Sequence, residues 1–213
     1  MLQGCFITGT DTGIGKTYFT ALWTRALRAR GVKALALKPF LCGERTDAEE
    51  LFHANEQELS IDQVNPVWLF PPLSPYAACL IEDKLLDWDA ARAGWHNVQQ
   101  HSIGPFLVEG VGGWLVPLDQ QHTVRDWAVE LGLPVVIVCR AGLGTINHTL
   151  LTVESVRATG LKILGIVMNF HQSPEDLATQ TNPGIIEQLT GLSVFKLEEG
   201  AKKIHLPNWL SSF

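Results

Sequence analysis

The chain has 213 residues, 46% of them hydrophobic, and a formal net charge of -6. That length can bury the core of one large domain, and an acidic balance without any run of Lys or Arg excludes nucleic-acid binding through broad phosphate attraction. No apolar run approaches a bilayer span and the N-terminus shows no signal-type pattern, so a cytoplasmic, single-domain protein of residues 1–213 that handles small molecules is expected.

The first element is an apolar run from Leu2 to Thr8, read as a strand, and the amphipathic segment from Tyr18 reads as a helix. Between them lies Gly9-Thr10-Asp11-Thr12-Gly13-Ile14-Gly15-Lys16-Thr17. A glycine-rich turn between strand and helix lets main-chain N–H groups converge on an anion at the helix N-terminus. Lys16 adds a charge for the terminal phosphates, and the Thr17 hydroxyl suits a Mg²⁺ ion. The usual phosphate-loop pattern places glycine six positions before the lysine, but Thr10 stands there and Gly9 comes one residue too early. The stretch is either a longer variant of that loop or an ordinary glycine-rich turn.

Phe19, Leu22, Trp23, Ala26 and Leu27 repeat with helical period until Gly31, and a strand follows from Lys33 to Lys38. This βαβ unit calls for parallel strands. Lys38, just before Pro39, then emerges at the carboxyl edge of the sheet, as a ligand-binding group or a solvated lysine. Thr46 to Asn55 is acidic and helical in pattern, with Asp47 placed to cap the helix or to bind a metal. A short strand around Val67 to Phe70, a proline-rich loop and a helix from Pro75 come next. Trp88, Ala91, Trp95 and Val98 recur at helical spacing as a core stripe.

Pro105 to Val108 forms a strand that runs into Glu109-Gly110-Val111-Gly112-Gly113-Trp114. A carboxylate at the end of a buried strand needs a partner, so Glu109 is either a metal ligand or the ion-pair partner of Lys16 or Lys38. The glycines after it, Gly112 among them, allow close approach of main chain to a ligand. Thr123 and Asp126 outline a capping box for a helix that Gly132 ends. Pro134 to Cys139 is another buried strand, and the segment Gly142-Leu143-Gly144-Thr145-Ile146-Asn147 opens a helix to about Ala158 as a second potential anion site. The strand Lys162 to Met168 ends at Asn169, whose amide suits a nucleobase edge or a local turn equally. A helix from Asn182 to Leu189 and a strand from Ser193 to Leu197 precede a tail, Glu198 to Phe213, without a clear pattern. Cys5, Cys42, Cys79 and Cys139 have no CxxC spacing, as expected of reduced thiols, and no zinc spacing or GxSxG elbow is present.

Taken together, these motifs resemble the dethiobiotin synthetase family, ATP-dependent ligases of biotin synthesis, across nearly the whole chain. The family's phosphate loop resembles Gly9 to Thr17, additional residue included. Its lysine-proline strand end resembles Lys38-Pro39, its glutamate-glycine segment Glu109 to Gly113, and its later helix start Gly144-Thr145-Ile146-Asn147-His148. The resemblance implies an α/β, doubly wound, mostly parallel sheet flanked by helices, of P-loop NTPase type, and a homodimer. It implies a reaction in which 7,8-diaminopelargonate and CO₂ form a carbamate that attacks the γ-phosphate of ATP. The resulting carbamic-phosphoric anhydride closes to the cyclic urea.

By the same resemblance, Asp11, Thr12, Gly13, Ile14 and Gly15 wrap the phosphates, Lys16 meets the β- and γ-phosphates, and Lys38 meets the carbamate and the transferred phosphoryl. Thr12 orients the carbamate, and Thr17, Asp47 and Glu109 hold Mg²⁺. Asn169 contacts adenine, Cys42 and Gly112 border the substrate, and Gly144, Thr145 and Asn147 hold its carboxylate across the subunit interface. Alternatives of related fold are a cobyrinic-acid-synthase-like ATPase, a ParA-like nucleotide switch and a catalytically weakened paralogue. Three departures stand out: Cys42 replaces a usual serine, Ser74-Pro75-Tyr76 replaces Ser-Pro-His, and Val194 to Glu199 lacks the Gly-x-x-Pro segment that encloses the base. A loosely held base, open to a second nucleoside triphosphate, is the expected consequence.

Overall fold

The order β2-β5-β1-β6-β7-β8 describes a six-stranded sheet in a computed structural model, which describes residues 4–171 and 176–211. Its strands are β1 (Gly4–Gly9), β2 (Leu35–Leu37), β5 (Phe106–Glu109), β6 (Val135–Arg140), β7 (Ile163–Asn169) and β8 (Val194–Leu197), and every pairing is parallel. Helices α1 (Lys16–Arg28), α2 (Thr46–Ala54), α3 (Ile61–Val64), α4 (Pro75–Ile81), α5 (Trp88–His101), α6 (Val124–Leu131), α7 (Thr145–Arg157) and α8 (Leu177–Thr190) flank it. The central strands are apolar on both faces, as layers of helices on both sides require.

One face packs Phe6, Leu35, Val108 and Ile137 against Trp95, Trp127 and Val156. The other packs Cys5, Ile7, Val136 and Val138 against Phe19, Trp23 and Leu27. The tryptophan stripe belongs to this core, with Trp88 5.6 Å from the Phe40 ring.

The winding reverses at β1, which continues into the glycine-rich loop. In an open α/β sheet the crevice at such a reversal, beyond the carboxyl ends of the strands, is where ligands bind. The register completes the arrangement. Leu37 pairs with Val108, and Ile7 pairs with Glu109, so Lys38 leaves β2 beside Glu109 while β1 lies on Glu109's other side.

Several features differ from the sequence reading. β5 lies between β1 and β2, so the first two strands are parallel without touching. Glu109 is the last residue of β5 rather than the residue after it. β3 (Phe40–Cys42) was not expected; it pairs with β4 (Val67–Leu69) in a separate two-stranded sheet, because its partner comes 27 residues later in sequence (Phe40↔Val67). α8 begins at Leu177, five residues before Asn182, capped by Asp176 accepting from the Thr179 N–H at 2.8 Å. The tail forms a short 3-10 turn, Asn208–Leu210, held where Trp23 Nε1 donates to the Leu210 carbonyl. Leu2 and Phe213, placed in a strand and the tail by the sequence, lie outside the described residues. Among those residues no helix is long and apolar enough to cross a membrane.

Candidate active site

The loop after β1 turns on Gly13 and Gly15, whose φ angles of 69° and 88° lie in the left-handed region. Gly15 has a second constraint: a Cβ there would sit 2.1 Å from Asn169 Nδ2. Asn169, at the end of β7, donates from Nδ2 to the Ile14 carbonyl at 3.0 Å and accepts the His171 N–H at 3.1 Å. It therefore forms the local turn and also braces the loop.

Lys16, in the first turn of α1, is buried and donates from Nζ to the Asp11 carbonyl at 3.0 Å. Burial and, after it, the charge of Lys38 bring its pKa down to about 8. The next residue, Thr17, donates from Oγ1 to Glu109 Oε1 at 2.7 Å.

Lys38 is not a solvated strand-end lysine; it is 2% exposed. Its Nζ donates to Glu109 Oε1 at 2.5 Å and lies 3.1 Å from Asp47 Oδ2. Burial pushes the Lys38 pKa down, but Glu109 and Asp47 outweigh it and the net shift is upward. Burial pushes the Asp47 carboxyl up, and Lys38 more than offsets this, holding it below its usual value. Asp47 therefore serves this ion pair, while Arg45 occupies the N-cap of α2 without a side-chain cap bond. Glu109 is fully buried, and its Oε2 has no hydrogen-bond partner among the described residues.

This cluster borders a cavity of about 680 Å³ that also reaches Thr12, Cys42, Ser74 and Gly112. Burial raises the Cys42 thiol to about 12, with Cys79 and Glu82 adding to the shift, so it presents a neutral, weak donor to the cavity. A second cavity of about 650 Å³ opens on the other side of the loop, against Tyr18, Arg140, Leu143, Asn169, His171 and Gly200. Tyr18 borders both, and its hydroxyl donates to the Ala201 carbonyl. The wall of this second cavity comes in part from the tail that the sequence left without a pattern.

Gly144, Thr145 and Asn147 border neither cavity. Gly144, at φ 88°, caps α7, and Asn147 is exposed. Farther along, α7 borders a recess of about 410 Å³ shared with Thr12, Trp114 and Leu115. Sequence reasoning missed Asn65 and Arg45, which support Lys38 from behind. Arg45 Nε donates to Asn65 Oδ1 at 3.1 Å, and Asn65 Nδ2 donates to the Lys38 carbonyl at 2.9 Å. The position of Asn65 before Pro66 was the one available sign.

The donor set fits a hard divalent cation. Thr17, Asp47 and Glu109 offer oxygen only, and the unpartnered Oε2 of Glu109 is an acceptor that lacks a donor. No three His, Cys, Asp or Glu side chains converge among the described residues, so such an ion would depend on phosphate oxygens as well.

An AAA domain sequence profile matches residues 3–196. The chain is 38% identical to the ATP-dependent dethiobiotin synthetase BioD of Endomicrobium trichonymphae, over 92% of this chain and 93% of that protein. It is 42% identical to the protein of the same name from Aquifex aeolicus, over 90% of this chain and 86% of that one. Among solved structures, the MinC:MinD cell division complex of Aquifex aeolicus is similar with TM-score 0.59 and 13% identity, over 98% of this chain and 84% of that one. A ParA family ATPase from Chlorobium tepidum is similar with TM-score 0.56 and 14% identity, over 94% and 86%. At such identities the structural likenesses show a shared P-loop fold alone. The sequence likenesses span nearly the full length of both partners, and by them this chain belongs to the dethiobiotin synthetase family.

Proposed function

We propose that this chain is a cytoplasmic, ATP-dependent dethiobiotin synthetase acting as one P-loop domain over residues 1–213, with 7,8-diaminopelargonate and CO₂ as its other substrates. The observation that carries the reading is the joining of Lys38 to Glu109 and Asp47, and of Glu109 to Thr17, directly beside the phosphate loop. A carbamate that attacks a triphosphate brings two anions together, and the site must offset their repulsion with fixed positive charge. Lys16, at the loop, takes the β- and γ-phosphates. Lys38, bordering the same cavity, takes the carbamate and the transferred phosphoryl. Thr12, bordering the same cavity, orients the carbamate oxygen for in-line attack, and Gly112 admits the substrate close to main chain.

Thr17, Asp47 and Glu109 would hold Mg²⁺, which when bound neutralises charge on the phosphate oxygens. Asn169 borders the base and keeps one amide hydrogen and one carbonyl lone pair for it, the others being used by Ile14 and His171. Exposed Leu143, Leu115 and Leu151 around α7 support a homodimer, in which a second copy brings Gly144, Thr145 and Asn147 to the substrate carboxylate.

The test is to incubate purified protein with the diamine, bicarbonate, Mg²⁺ and each nucleoside triphosphate, and to measure dethiobiotin by mass. Dethiobiotin formed in step with ADP is the expected result. ATP hydrolysis without dethiobiotin would return the chain to the ParA-like reading, and ligand binding without turnover to a weakened paralogue.

A further inference from the structure

Gly13, Gly15 and Tyr18 border both the cavity of the lysine–carboxylate cluster and the cavity beside Asn169, and of the three only Tyr18 has a side chain. It stands two residues after Lys16 in the first turn of α1, and its hydroxyl donates to the main-chain carbonyl of Ala201, 183 positions later. Burial raises the Tyr18 pKa and nearby Glu50 adds to the shift, so the phenol keeps the proton it donates. Ala201 follows Gly200, which lines the cavity beside Asn169 with a φ of 66°. The two belong to a turn in which the Ala201 N–H donates to the Glu198 carbonyl at 3.3 Å. Beyond the turn, Ile204 and Leu206 pack into the core layer of Phe19 and Trp23.

A nucleoside triphosphate with its phosphates at Lys16 and its base beside Asn169 lies across both cavities. The ligand's own bonds limit the spacing of its two ends, so a wall against the base serves only if its distance from the phosphate loop is held. From this placement we infer that Tyr18 is a positioning residue: its hydroxyl pins the Glu198–Ala201 turn to the helix that carries Lys16, so that the wall stands ready before nucleotide arrives. A wall ordered in advance raises affinity by sparing the cost of ordering it on binding. What is pinned is main chain beside a glycine, which meets a base by shape rather than by reading its edge. Tyr18 therefore adds affinity for nucleotide without choosing among bases, and it ties down from α1 a tail that lacks the Gly-x-x-Pro segment.

The inference rests on the proposed function only in placing phosphates at Lys16 and a base beside Asn169; the product of the reaction does not enter. The test compares wild type, Tyr18→Phe and Trp23→Phe, each as the full chain with Mg²⁺, for binding of ATP, GTP and inorganic tripolyphosphate by calorimetry. Tyr18→Phe, which keeps the ring and loses one hydrogen bond, should weaken ATP and GTP alike by about fivefold and leave tripolyphosphate within about twofold. Trp23→Phe cuts the other tie to the tail, at Leu210, away from both cavities, and should leave all three ligands within about twofold. Unchanged ATP affinity in Tyr18→Phe overturns the inference, as does an equal loss for tripolyphosphate or an equal loss of ATP affinity in Trp23→Phe. Should Tyr18→Phe fail to fold, hydrogen exchange of the wild-type tail decides: protection of residues 198–206 gained with ATP but not with tripolyphosphate supports the inference, and protection by both or by neither overturns it. A wild type that binds no nucleotide overturns the functional reading as well, whereas dethiobiotin formed by a wild type whose Tyr18→Phe variant binds ATP equally removes this inference alone.

Discussion

Asn65 donates from Nδ2 to the main-chain carbonyl of Lys38 across 2.9 Å, and from the same nitrogen to the Val67 carbonyl across 3.0 Å. A fully buried amide thereby locks the bend at which the chain leaves β2 of the main sheet for the β3–β4 pair. Replacing Asn65 by Ala strands two buried carbonyls and one end of Arg45, at a cost of about 3 kcal/mol. Urea unfolding should show this as a lower midpoint with an unchanged slope. A loss below about 0.5 kcal/mol would mean that the bend is held by other contacts.

Lys38→Gln should leave nucleotide binding intact while suppressing ligation by about 10²- to 10³-fold, the scale for removing one preorganised group that stabilises developing charge. Nucleotide binding followed by calorimetry and dethiobiotin followed by mass separate the two effects. Near-normal turnover would remove the central catalytic role given to Lys38.

Base selection is expected to be weak. Asn169 spends half its hydrogen-bonding capacity on Ile14 and His171, and the tail supplies no Gly-x-x-Pro enclosure. A second nucleoside triphosphate in the turnover assay should compete measurably with ATP. Strict dependence on ATP would show that Tyr18, Arg140 and the Gly200 turn grip the base more selectively than their chemistry suggests.

Acid stability should report on Asp119, which borders neither of the two cavities beside the phosphate loop. Burial pushes its carboxyl up, but hydrogen bonds from the Gln121 and His122 main chain, Trp88 Nε1 and the His122 ring outweigh this and bring it down to about 2. A depressed folded-state pKa stabilises above the unfolded value and is lost as pH falls through the folded one. Asp119→Ala should therefore cost about 2 kcal/mol at pH 7. The difference from wild type should shrink between about pH 4 and pH 2. A difference that stays constant across that window would assign the loss to packing around Trp88 instead.

The phosphate loop was legible because its parts are local. A strand, three glycines, a lysine and a threonine are contiguous from Gly9 to Thr17, and the helix that follows announces itself by period within one turn. Most other elements were readable for the same reason: the capping box of Thr123 and Asp126, the run Val135 to Cys139 and the Trp88 stripe each carry their pattern within a few residues. Of the β3–β4 pair, β4 was legible as the short strand around Val67 to Phe70, but β3 was not, since a three-residue strand has no period to count and its partner is remote. Lys38 and Glu109 could be named as residues placed at the carboxyl edge and as one possible ion pair, but residue type alone did not choose between Lys16 and Lys38 as the partner.

What joined them was the strand order. Placing β5 between β1 and β2, with Leu37 level with Val108 and Ile7 level with Glu109, sets one carboxylate between a lysine 71 positions before it and a threonine 92 positions before it. The sequence by itself determined which groups are chemically able to meet a phosphate, because that ability lies in residue type and local turn geometry. Tertiary structure alone decided that Lys38 rests on Glu109 and Asp47, because only packing of the sheet brings an ammonium and a carboxylate from remote strands together in a buried place where each needs the other.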